Sequence, residues 1–317
     1  MTFNVKSLAS TQFHPSWFEG YRHVYPVVSR RANGVSLGVN LSPTKLCNFR
    51  CVYCQVERGE GRAEIERAVA TTDPERASSL DVIRREPDLC ACRVDLDVLA
   101  AELTRLARAT LDGELFRVER FADVEPSKRV LRDFAFSGDG EPTLAPQFPE
   151  AVARLVEVRK NLNQDDVKLV LITNATRLTR PEFVEALDQF NAANGEIWTK
   201  LDAGDAERFK SVDRAAIPFG RIVENIEFAA KRWRVKIQTA LFSQRGAAPT
   251  AAEFEQYCRR LREILDAGGR IESTQLYTIA RVPAEPDVAP LTDEEMDGYA
   301  ATLKRETGLP VEVFYSR

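Results

Sequence analysis

Apolar residues recur along the chain in two rhythms, every second position over short runs and every third or fourth over longer ones. The first rhythm predicts strands and the second predicts amphipathic helices. An irregular leader rich in aromatics (Phe13, Trp17, Phe18, Tyr21, Tyr25) precedes a short strand over 36–41. Residues 57–92 are polar and charged, show no clear period, and read as an inserted surface segment. Leu96, Leu99, Leu103 and Leu106 then line one face of a helix that Gly113 can stop. A strand over 132–136 runs into the turn Ser-Gly-Asp-Gly-Glu-Pro-Thr at 137–143. A helix over 148–160 and an apolar strand over 167–172 follow.

The next helix is expected to open at Thr179, with Pro181 and Glu182 completing a capping box. Beyond it the pattern predicts a strand over 196–201, a helix over 221–231 and a strand over 235–242. Thr250 with Glu253 and Thr292 with Glu295 have the capping-box spacing and start two further helices. A strand over 274–279 lies between those two helices, and an alternating strand over 311–315 comes last.

Strands alternating with amphipathic helices imply an α/β fold with a parallel sheet covered by helices. Room for about six βα units between Ser36 and Ile279 predicts a partial (β/α)6 barrel. The expected division is an N-terminal extension (1–35), a barrel core (36–285, carrying the 57–92 insertion), and a C-terminal helix and strand packed on the core (286–317). Barrels of this kind place their chemistry at the C-terminal ends of the strands. The cysteine-bearing loop after 41, the Gly-rich turn, Asn174, Asp202 and Gln238 all fall at or near such ends.

Composition narrows the function. The 317 residues are 44% hydrophobic and 29% charged, with 16 Gly and 16 Pro, which excludes wholesale disorder and collagen-like repetition. A net charge of −4 excludes a generally basic polyanion binder. The Lys/Arg-rich stretch 210–236 reads as a solvated helix face, with nucleic-acid contact as the alternative. No apolar run approaches the roughly 18 residues that span a bilayer, and residues 1–18 lack the apolar stretch of a signal peptide, so the expected location is cytoplasmic. Only two histidines occur, His14 and His23, which argues against histidine-centred catalysis.

Cysteine carries the chemistry. Three of six cysteines, Cys47, Cys51 and Cys54, fall within eight residues; Cys90 and Cys92 form a pair and Cys258 stands alone in an amphipathic helix, where it reads as core. In a reducing compartment such clustering points to metal or redox chemistry rather than disulfides. Zinc ordinarily takes four Cys/His ligands, and the 47–54 cluster has no obvious fourth. Three thiolates in a tight loop suit an iron–sulfur cluster with one iron left open for another ligand. Cys90 and Cys92 read as loop thiols, with an auxiliary cluster as the alternative.

The run Cys47-Asn-Phe-Arg-Cys51-Val-Tyr-Cys54 is C-x3-C-x2-C with an aromatic before the last cysteine, and it resembles the signature of the radical SAM superfamily. The turn at 137–144 is similar to that family's Gly-Gly-Glu turn. Segments 37–47, 200–204 and 277–281 are similar to a branch of predicted iron–sulfur oxidoreductases related to the tRNA wyosine-base synthase. This resemblance implies a 4Fe–4S cluster on Cys47, Cys51 and Cys54 whose open iron chelates S-adenosylmethionine. Reductive cleavage would then give a 5′-deoxyadenosyl radical that abstracts hydrogen from a substrate. The site residues follow by the same likeness: Tyr53 beside adenine, and Gly138 and Gly140 letting backbone approach the methionine end. Glu141 would pair with the amino group, Lys200 with the carboxylate, Asp202 with the ribose, and Asn174 with either. Gln238 would face the barrel interior or a core partner. Lys200 with Asp202 as a plain ion pair and Asn174 as a loop cap are the structural alternatives. A flavodoxin- or ferredoxin-like electron donor is implied; the substrate could be an RNA base, a peptide or partner protein, or a metabolite. Outside enzymology, the rival is a metal-holding barrel without turnover.

Overall fold

A computed structural model describes residues 18, 20–42, 44–56, 94–281, 283 and 285–316. His14, Cys90, Cys92 and the proposed insertion at 57–92 lie outside the described residues.

One curled sheet organises the chain, in the order β1 (Val24–Ser29), β2 (Gly34–Val39), β3 (Leu131–Phe136), β4 (Lys168–Thr173), β5 (Gly195–Lys200), β6 (Val235–Ala240), β8 (Ile271–Tyr277) and β10 (Val311–Phe314). Only the β1–β2 pair is antiparallel; every other neighbouring pair is parallel. The six strands from β2 to β8 are the predicted partial barrel. Two further strands, β1 and β10, extend the sheet at its edges. The leader contains a strand, β1, whose Pro26 cannot donate to a ladder and so disguises it; the edge of a sheet is where such a strand is tolerated. The final strand does not merely pack on the core, because β10 pairs with β8 and lengthens the same sheet.

Helices cover the outer face: α1 (Leu96–Leu111), α2 (Phe148–Asn161), α3 (Pro181–Ala192), α4 (Ala206–Val212), α5 (Phe219–Arg232), α6 (Ala251–Asp266) and α7 (Asp293–Thr307). The leucine stripe of α1 is buried as its spacing requires, with Leu99 and Leu103 wholly inaccessible. Capping boxes start α6 at Thr250 and α7 at Thr292. The box expected at Thr179 is absent. Helix α3 starts with Pro181 behind an Arg180 cap that makes no side-chain bond, while the Thr179 hydroxyl pairs with the Asn225 amide oxygen, 3.1 Å away. The sequence reading also missed α4, capped by the Asp205 carboxylate on the Arg208 amide. Its strand over 235–242 breaks at Leu241, after which β7 (Phe242–Gln244) leaves to pair with β9 (Val288–Pro290).

The two edges of the sheet meet through side chains. Arg30, in the β1–β2 turn, donates from Nη1 to the Tyr315 carbonyl at 2.7 Å, and the Arg31 guanidinium lies 4.7 Å from the Tyr277 ring centroid and 5.7 Å from that of Phe314. Among the described residues no helix is long and apolar enough to cross a membrane.

Candidate active site

The cysteine loop leaves the end of β2 and is laced to the end of α4. The Arg50 amide donates to the Asp213 carbonyl and the Val52 amide to the Val212 carbonyl, both at 2.9 Å. Between the cysteines, Phe49 packs edge-on against Phe209 and Val52 is fully buried. Those apolar anchors leave the three thiols half-buried at the rim. Among the described residues no three His, Cys, Asp or Glu side chains converge on a point where one metal ion could sit. Three thiols on one loop are soft ligands of the kind that an iron–sulfur cluster takes.

Sequence reasoning missed the partner of Cys51. Its thiol donates to Asp213 Oδ1 at 3.3 Å, and burial, with Asp213 and Asp202 nearby, pushes it well above the ordinary thiol range. Burial and Asp202 likewise hold the Asp213 carboxyl high, and its Oδ2 is buried without a hydrogen-bond partner. A thiol in this setting stays protonated in the absence of a bound cation, which would displace the proton to solvent. Asp213 carried no sequence signal, since it lies 162 positions from the cysteine it meets.

The Gly-rich turn is pressed against the cysteine loop. A β-carbon on Gly140 would lie 2.1 Å from the Leu46 carbonyl oxygen, the same oxygen that accepts the Glu141 amide at 2.9 Å. Gly138 sits at φ +130°, a conformation side chains rarely adopt, with Asn40 against it. The close approaches that these two glycines permit in this structure are contacts within the protein. Glu141 accepts its hydrogen bonds from the protein as well. Its Oε1 accepts from the Thr143 amide (3.1 Å), the Thr143 hydroxyl (2.7 Å) and the Thr173 hydroxyl (2.6 Å), and its Oε2 from the Asn174 amide (2.8 Å). Burial pushes its carboxyl up against the pull of these donors. It is a buried latch joining the ends of β3 and β4.

Asn174 reaches the cysteine loop. Its Nδ2 donates to Asn48 Oδ1 at 2.7 Å and lies 4.0 Å from Cys47 Sγ, while its Oδ1 accepts from the Thr176 hydroxyl at 2.8 Å. Lys200 and Asp202 form the expected ion pair at 3.6 Å. Asp202 also accepts from the Ala240 amide (2.6 Å) and the Tyr53 hydroxyl (2.5 Å). Tyr53 is buried, tilted against Phe242. The Lys200 ammonium stands 4.8 Å from the Tyr53 centroid and 4.4 Å from that of Tyr277, and it also bonds the Tyr277 hydroxyl. Gln238 lies in the same row as Lys200, with Nε2 donating to Gln275 Oε1 at 2.8 Å; register places Lys200, Gln238, Gln275 and Glu312 abreast on β5, β6, β8 and β10.

Three remaining expectations resolve simply. Cys258 is core, and His23 is buried against the backbone-capping carboxylate of Glu102, its imidazole pushed down by burial. In the basic stretch, Arg221, Lys231, Arg232 and Arg234 are paired with Glu224, Glu227, Asp188 and Glu272, which is the solvated ion-paired face.

No family of known proteins matches the chain by its sequence profile. A UPF0026 protein of Helicobacter pylori (strain ATCC 700392 / 26695) is 23% identical over 273 residues, covering 86% of this chain and 70% of that protein. A protein of Brachyspira hyodysenteriae named GTPase Obg is 21% identical over 91% of this chain and 34% of its own length. The present sequence contains no Gly-Lys pair and hence no phosphate-binding P-loop. Among solved structures, Streptococcus suis SuiB bound to precursor peptide SuiA aligns with a TM-score of 0.51 at 12% identity, over 87% of this chain and 48% of that one. SuiB bound to S-adenosylmethionine aligns at 0.50 and 11%, over 90% and 49%. The chain thus spans about half the length of SuiB and about a third of the Brachyspira protein. In its cysteine loop, its glycine-rich turn and its curled parallel half-barrel, the chain resembles the radical SAM superfamily and has that superfamily's fold.

Proposed function

We propose that the chain is a radical SAM enzyme, with a 4Fe–4S cluster on Cys47, Cys51 and Cys54 and S-adenosylmethionine beside it in the mouth of the half-barrel. The observation that carries this reading is the convergence of three half-buried thiols with the ends of β3, β4 and β5 on one rim. SuiB, of the same fold, binds S-adenosylmethionine.

A cluster held by Cys47, Cys51 and Cys54 would, when reduced, supply the electron that splits the sulfonium into methionine and a 5′-deoxyadenosyl radical. The protein's part is placement. Glu141 locks the turns after β3 and β4 so that Gly138, Gly140 and Asn174 present backbone and amide groups at the rim. Asn174 Nδ2 supports Cys47 as a thiolate. Lys200 is the cation available for the cofactor's carboxylate, held upright between two aromatic faces. Asp202 and Tyr53 brace that lysine, and Gln238 stands beside it in the same row of the sheet. A flavodoxin- or ferredoxin-like protein is the fitting electron donor, and a reducing, cytoplasmic setting is the fitting location.

Anaerobic reconstitution with iron and sulfide tests the reading. A brown protein that releases 5′-deoxyadenosine from S-adenosylmethionine under dithionite, and loses its colour in Cys51→Ala, is expected. Colourless protein holding stoichiometric zinc ends it.

A further inference from the structure

Below the rim, the interior of the half-barrel contains a cavity of about 140 Å³ that the cofactor reading leaves unused. Its wall is continuous with the rim by strand alternation: Gly38, Ile172 and Trp198 lie two residues before Asn40, Asn174 and Lys200, and so face the same way one layer deeper. Tyr277 links the layers, since its hydroxyl meets Lys200 above and its ring meets Arg31 beside the cavity.

Arg31 and Arg281 both line this cavity, from the β1–β2 turn and the segment after β8. Neither guanidinium has a carboxylate within ion-pair distance among the described residues, and Arg31 Nε is buried with no hydrogen-bond partner. Burial, with Arg30 and Arg281, pushes the Arg31 guanidinium down to about 10 against the pull of Glu312. The carboxyl on the wall, Asp133, is bonded by Ser36 and feels Glu196 and Lys168 at the barrel floor rather than the arginines. Two half-buried cations lining one cavity are costly unless an anion enters between them.

We propose that this cavity is the substrate pocket and that Arg31 and Arg281 bind the carboxylate or phosphate group of a small organic anion. The proposal rests on the radical SAM reading for the reaction and deepens it by naming the substrate class. The planar fork of arginine suits both oxyanions. The volume, close to the roughly 150 Å³ that admits benzene, takes a small molecule or the end of one. Trp198 and Tyr25 supply apolar walls, and the rim above is where hydrogen abstraction would occur.

Calorimetric titration of the reconstituted protein with sodium acetate and with inorganic phosphate, at constant ionic strength against sodium chloride, tests it. Saturable binding of one equivalent is expected, weakened about tenfold or more in Arg31→Gln and in Arg281→Gln. The stronger of the two probes identifies the head group. Heats no different from sodium chloride, or both variants binding as tightly as the parent protein, overturn the proposal. Should Arg31→Gln not fold, Arg281→Gln and the parent titration decide alone. Release of 5′-deoxyadenosine, measured on the same preparation, separates the two readings: saturable anion binding without cofactor cleavage retires the reaction, and cleavage without anion binding retires the pocket.

Discussion

Leu46 and Gly140 touch backbone to backbone: any β-carbon at 140 would intrude to 2.1 Å of the Leu46 carbonyl oxygen. The residue immediately before the first cysteine is thereby fixed to the turn that follows β3. Gly140→Ala must push the cysteine loop away, since the obstructing atom is backbone and cannot swing aside. Iron and sulfide content after reconstitution should fall to a small fraction of the parent value, while far-ultraviolet circular dichroism stays unchanged.

Glu141 offers a different outcome. Its carboxylate accepts four hydrogen bonds. An amide in its place would turn an NH2 group towards donors. Glu141→Gln should lower unfolding stability by about 1–3 kcal/mol in urea titrations. If Glu141 were instead a surface-facing ligand for an ammonium group, cofactor affinity would drop with stability intact.

Lys200 is predicted to govern cofactor affinity rather than cluster assembly. It is half-enclosed by Tyr53 and Tyr277 and touches no cysteine. Lys200→Gln should weaken S-adenosylmethionine binding by about tenfold in equilibrium dialysis, with an unchanged ratio of iron to protein.

Asp133 sets a pH dependence of stability. Burial lifts its carboxyl from 3.8 to about 6, so the folded chain holds this proton more tightly than the unfolded chain. The group's stabilising contribution is full below about pH 4 and is lost as pH rises towards 6, with no further change above. Asp133→Asn should remove that decline, narrowing the difference in unfolding free energy between pH 4 and pH 7 by roughly 2–3 kcal/mol. Urea melts at a series of pH values report it directly.

The sequence displayed whatever is local. Both threonine–glutamate boxes, the leucine stripe of α1 and the strand-loop order around Cys47 depend on residues within a turn or two of each other, and each stands as expected. Thr179 had the same local grammar but found a partner in Asn225, 46 positions away. Pro26 made an edge strand look irregular. At the site, residue types alone do not name the donors of Glu141 or the backbone pressed against Gly140, because other segments contribute them. Asp213, Arg31 and Tyr277 gain meaning only from long-range packing, and no spacing in the chain announces them.

Arg30 and Arg31 join a turn near the start of the chain to its last strand. During synthesis, the hairpin that carries them emerges from the ribosome long before Phe314 and Tyr315 exist. The early hairpin can only wait, its two guanidinium groups exposed to water, until the last strand arrives to shut the seam. Assembly of the half-barrel therefore has an order imposed by translation, in which this seam closes only after β10 has been made.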